Sequence, residues 1–80
     1  FKLANVFFNT GRLPAAALHY ETAVRLRPSD VEAHYNLGVT YARLEKWSEA
    51  QAALETALHL EPNHANARRS LAQLRAVLGR

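Results

Sequence analysis

The chain has 80 residues, 49% of them apolar and 21% charged, with a formal net charge of +3 and no cysteine. A chain this short forms one domain at most and buries roughly 60 to 65% of the surface its unfolded form exposes. The lack of cysteine excludes disulfides, thiolate metal sites and cysteine nucleophiles, and no apolar run approaches the roughly 20 residues of a membrane-spanning helix.

In chain order, residues 1–10 read as part of a helix that began before Phe1, so the chain has the look of a piece of a longer protein. Gly11 ends that helix. Pro14 opens the next, predicted over 14–26, near its first turn, where a missing N–H costs nothing. Pro28 stops it by pushing Arg27 out of the α region. Ser29-Asp30-Val31-Glu32 then has capping-box spacing: the Ser29 hydroxyl would accept from the Glu32 amide while the Glu32 carboxylate returns to the Ser29 amide. A helix over 31–43 follows, with Leu37, Tyr41 and Leu44 at helical spacing.

Gly38 inside that helix costs roughly 1 kcal/mol against alanine, so its place calls for a close helix approach. The small residues Ala50, Ala53 and Ala57 are the expected partners, with Tyr41 and Trp47 filling the wider end. Leu44-Glu45-Lys46 is too short for anything but an antiparallel hairpin. It leads into a helix over 47–60 carrying Ala50, Ala53, Leu54, Ala57 and Leu58 on one face. Pro62 ends it, Asn63 is the expected cap, and a last helix over 65–78 has the stripe Ala67, Leu71, Leu74 and Leu78.

Shifted by 34 residues, the chain falls on itself. Leu3-Ala4 meets Leu37-Gly38 and Leu71-Ala72, Phe7 meets Tyr41, Leu13 meets Trp47, Glu21-Thr22-Ala23 meets Glu55-Thr56-Ala57, and Pro28 meets Pro62. One unit of two helices is used again, which gives an all-α fold of stacked antiparallel hairpins. Residues 31–64 resemble one complete tetratricopeptide repeat through Leu37, Gly38, Tyr41, Ala50, Leu54, Ala57 and Pro62. The family's tryptophan near the start of the first helix is His34 here, which leaves less bulk under the hairpin and makes His34 a hydrogen-bonded or tyrosine-stacked core residue. Residues 1–30 resemble a repeat lacking its first residues, and 65–80 only the first helix of a third. The resemblance implies a short right-handed superhelix forming one domain over 1–80. Arg68 and Arg75, in the register of His34 and Tyr41, mark the last helix as a cap with a polar outer face; the alternative is that further repeats followed it.

Stacked hairpins line their concave side with the first helix of each unit. That groove face comprises Phe1, Asn5, Phe8 and Asn9, then Glu32, Tyr35, Val39 and Arg43, then Asn66, Arg69 and Gln73. Aromatic anchors flanked by Asn and Arg suit a peptide, so the main expectation is a scaffold module for a peptide or protein partner, with Arg43 and Arg69 favouring an acidic one. The rival expectation is homo-oligomerisation through an edge of Phe1, Leu3 and Phe7. Some members of the family clamp a terminal carboxylate of chaperones with two Asn and three basic residues. Asn5 and Asn36 match the Asn positions, but Phe1, Asn66 and Ser70 stand where the basic residues belong, so that clamp fails on charge.

Arg68, Arg69, Arg75 and Arg80 make a basic end that carries no nucleic-acid motif and reads as a solvated helix. His59 and His64 are five apart across Pro62 and form no zinc pair. The acids Glu45, Glu49, Glu55 and Glu61 read as a solvated convex face. No catalytic constellation, cofactor or metal is expected. The compartment stays open, the cytoplasm slightly favoured over the periplasm.

Overall fold

A computed structural model of the chain describes residues 12–79. The helix predicted over 1–10 lies outside these residues. Among the described residues four helices follow one another: α1 (Leu13–Leu26), α2 (Val31–Arg43), α3 (Trp47–Leu60) and α4 (Ala65–Leu78). The last three have the bounds that periodicity and proline placement predict, and α1 starts one residue early, with Pro14 in its first turn.

Helices α2 and α3 form the central hairpin, with α1 on α2 and α4 on α3. Two apolar clusters result. Ala16, Ala17 and Tyr20 of α1 meet Leu37 and Ala53. Ala50, Leu54 and Ala57 of α3 meet Ala67, Leu71 and Leu74 of α4. Tyr41 packs on both, so the hairpin couples its two neighbours. Thr40, fully buried, satisfies its hydroxyl by donating to the Asn36 carbonyl at 2.8 Å. Among the described residues no buried side-chain polar atom lacks a partner.

Gly38 is buried at the α2–α3 crossing, as its place in the helix requires. Its closest neighbour, however, is not one of the alanines. A methyl group there would stand 2.7 Å from Leu54 Cγ and 2.9 Å from Leu54 Cδ2. The alanines thin the rest of α3, and Leu54 fills the notch that Gly38 leaves.

The helix caps sit one residue later than the capping-box reading places them. Asp30, not Ser29, caps α2, its carboxylate accepting from the Ala33 amide at 3.3 Å. His64, not Asn63, caps α4, with Nδ1 accepting from the Ala67 amide at 3.0 Å. In both cases the residue just before the first helical one holds the extended backbone that an N-cap needs. Glu32, freed from the expected return to Ser29, turns to His64 instead.

The α2–α3 turn closes as a Schellman motif: Glu45 N–H donates to the Ala42 carbonyl and Lys46 N–H to the Tyr41 carbonyl. Glu45 takes φ of 61° there, a left-handed conformation that glycine favours. The equivalent positions one repeat away on either side are Gly11 and Gly79. The terminal stripe is also shorter than its periodicity suggests: Leu78 is 44% exposed.

Candidate functional site

Helices α2 and α4 are the first helices of consecutive units and meet over α3. Helical spacing puts Val39, Ala42 and Arg43 on one side and Ser70, Gln73, Leu74 and Val77 on the other, with Trp47 and Leu54 of α3 between them. These residues enclose an open cleft of about 370 Å³. Leu54 and Leu74 are buried in its floor, whereas Val77 is half exposed at its wall. Arg43, Ser70 and Gln73 supply polar groups, and no acidic residue lines the cleft.

The opposite end of the α2–α4 pair is polar and acidic. A shallow depression there is lined by Glu32, Glu61, Asn63, His64 and Asn66. His64 is buried, and its ring is fixed from three sides. Nδ1 accepts the Ala67 amide, so the hydrogen belongs on Nε2, which donates to Glu32 Oε1 at 2.7 Å. Tyr35 tilts over the imidazole with ring centroids 5.0 Å apart. One histidine thereby caps α4 and ties it to α2.

Of the residues that the groove register predicts, Val39, Arg43 and Gln73 converge on the cleft. Tyr35 is half-buried and drawn into the α3–α4 cluster, and Asn66 belongs to the acidic end. Arg69 is exposed on α4 and lines neither. Asn5, Phe8 and Asn9, together with the predicted self-association edge of Phe1, Leu3 and Phe7, lie outside the described residues. Ala42, Trp47, Leu54, Leu74 and Val77 complete the cleft outside the register's groove face, as does Ser70, which register places only at a clamp position. Val77 stands one repeat after Arg43 and Ser70 one repeat after Asn36, so the repeat itself carries the signal for those two. Trp47 and Leu54 escape it because they belong to a second helix, which enters the groove only as its floor.

The other side of the hairpin is built around Tyr41. Its hydroxyl donates to the Glu21 carboxylate. Burial first, then that bond and the charges of Glu21 and Glu49, raise its pKa far above the ordinary tyrosine value. One repeat later Arg75 takes the place of Tyr41 and Glu55 that of Glu21, and the pair meets at 3.7 Å. His34, expected in the hairpin core, is half-buried and bonds Pro28 O through Nε2 at 2.8 Å. It borders a shallow hollow shared with Leu37, Tyr41 and Ala53. Among the described residues no cluster of three or more His, Asp or Glu could hold a metal ion, and no helix is long and apolar enough to cross a membrane.

The family model described as TPR repeat matches residues 4–45, and that described as Tetratricopeptide repeat matches residues 31–64. The Peroxisomal targeting signal receptor of Saccharomyces cerevisiae is 38% identical over 64 residues, covering 80% of this chain and 10% of the yeast protein. Protein O-mannosyl-transferase Tmtc3 of Drosophila melanogaster is 37% identical over 54 residues, covering 68% of this chain and 6% of the fly protein. Among solved structures, the first TPR of Spaghetti (RPAP3) bound to the HSP90 peptide SRMEEVD superposes with a TM-score of 0.93 at 28% identity, covering 96% of this chain and 61% of that one. The chain thus spans about a tenth or less of the two curated relatives it matches here.

Proposed function

The chain belongs to the tetratricopeptide repeat family, and on that premise we propose that it is a protein-interaction scaffold module that seats a peptide or protein partner between α2 and α4. The observation that carries this reading is the cleft itself: apolar walls, a floor of packed leucine and a cationic and amide rim on the face where the repeats stack. A preformed concave site with an apolar floor and a few polar groups is the usual form of a ligand site. The Spaghetti domain, bound to a peptide on the same fold, supports the class of partner. Arg43 and the net charge of +3 favour an acidic one.

No chemistry is assigned to the module. The match to the mannosyl-transferase covers 6% of that protein and lends nothing of a transferase to this chain. The receptor match and the peptide-bound neighbour point to partner binding, and neither supports the homo-oligomerisation reading.

The test is amide chemical-shift mapping of the labelled chain against pooled acidic peptides. Shifts gathered on Val39, Arg43, Ser70, Gln73 and Val77 are the expected result. Shifts gathered instead on Thr22, Ala52 and Thr56, or none with any pool, would reject this face as the site.

A further inference from the structure

The α2–α4 cleft is built to hold a side chain rather than a chain end. Its floor and walls are Leu54, Leu74, Trp47, Val39 and Val77, and at about 370 Å³ it has room for one large aliphatic or aromatic side chain. Arg43 is the ionisable group on its rim, beside Ser70 and Gln73. A terminal carboxylate, by contrast, needs several cationic or N–H groups converging on one point. The α4 positions in register with such a clamp are Asn66 and Ser70, and Asn66 sits at the other end beside Glu32 and Glu61, whose charges repel a carboxylate.

Resting on the peptide-binding reading above, we propose that this cleft recognises an internal segment of an extended peptide: one large apolar residue enters the cleft, and an adjacent Asp or Glu faces Arg43. The free carboxyl end of the partner contributes nothing. The charge pattern also sets a direction along the groove, since an acidic flank is attracted at the Arg43 end and repelled at the Glu32 and Glu61 end.

The experiment uses two arrays of random decapeptides, one acetylated and amidated at its ends, the other with free carboxyl termini, each probed with the 80-residue chain, with Val77→Glu and with Arg43→Glu. Both substituted positions are well exposed, and helicity by circular dichroism confirms that each variant folds. The expected result is that blocked peptides bind as well as free ones and are enriched in an apolar residue next to an acidic one. Val77→Glu then weakens the selected peptides by roughly tenfold, the scale of losing one anchor, and Arg43→Glu shifts the flanking preference from acidic to basic. Binding confined to the free-carboxyl array, or a selection unchanged in both variants, overturns the internal-segment inference while leaving peptide binding intact. Failure of both arrays to bind overturns the peptide-binding reading itself.

Discussion

Helices α2 and α4 occupy the same place in consecutive units, and each faces the preceding unit in the same way. Ala33 and Ala67 are fully buried, Leu37 and Leu71 nearly so, and Thr40 and Leu74 complete the buried face. The adjoining positions differ. Gly38 and Tyr41 lie against α3, whereas their counterparts Ala72 and Arg75 are exposed. At these positions α2 meets the demands of close packing against α3, while in the described residues α4 has them exposed. Small-to-large substitution separates the two most sharply. Gly38→Leu is expected to cost about 3 kcal/mol or more, because even its Cβ collides with Leu54, and Ala72→Leu should stay within about 0.5 kcal/mol. Urea midpoints on both variants decide it, and equal costs would break the comparison.

The caps sharpen the same contrast at the helix starts. Asp30 gives α2 a single side-chain bond, while His64 caps α4, bonds Glu32 and supports Tyr35. Asp30→Ala should therefore cost about 1 kcal/mol. His64→Ala should cost about 2 kcal/mol, since it opens a buried space as well as losing the cap. At about 4 to 8 °C per kcal/mol for a domain of this size, the two melting curves would be clearly apart. An equal loss would mean that the Glu32 and Tyr35 contacts contribute nothing.

What the sequence makes legible follows from which signals are local. Helix bounds were readable because Pro28, Pro62 and the 34-residue period act on the backbone directly. The caps were readable to within one residue: Ser29 and Asn63 have suitable side chains, but only the backbone turn decides which residue is the last non-helical one. That Gly38 marks a close approach is plain from the sequence, yet which residue of the facing stripe Ala50, Ala53, Leu54 and Ala57 stands opposite it is set by how α2 and α3 cross, and the structure puts Leu54 there. For the candidate site, register reaches the first-helix residues Val39, Arg43 and Gln73 and not the second-helix floor of Trp47 and Leu54.

The α2–α3 turn offers a gain instead of a loss. Glu45 holds a left-handed backbone where Gly11 and Gly79 stand in the neighbouring units. Glu45→Gly relieves a strain of roughly 1 to 2 kcal/mol and gives back part of it as chain entropy in the unfolded state. A net rise of about 1 kcal/mol is expected in the same urea series, and a fall would mean that the Glu45 side chain makes up for its backbone.

The smallest expected effects concern the two equivalent acid contacts, Glu21 with Tyr41 and Glu55 with Arg75. The outer pair joins exposed side chains, so Arg75→Ala should change stability by no more than about 0.5 kcal/mol. Tyr41→Phe loses a part-buried hydrogen bond, for which about 1 kcal/mol is expected at neutral pH. The inner contact also has a pH signature. Burial raises the pKa of Tyr41 and of Tyr20 above the ordinary 10.0. Above that pH the unfolded chain sheds phenolic protons that the folded chain keeps, so stability is full below about pH 10 and falls as pH rises beyond it. Tyr41→Phe removes one of the two groups, and its stability should decline less steeply between pH 10 and 11 than that of the parent chain or of Arg75→Ala. Parallel declines in all three would place Tyr41 in a solvated setting and would erase the difference between the inner and outer contact.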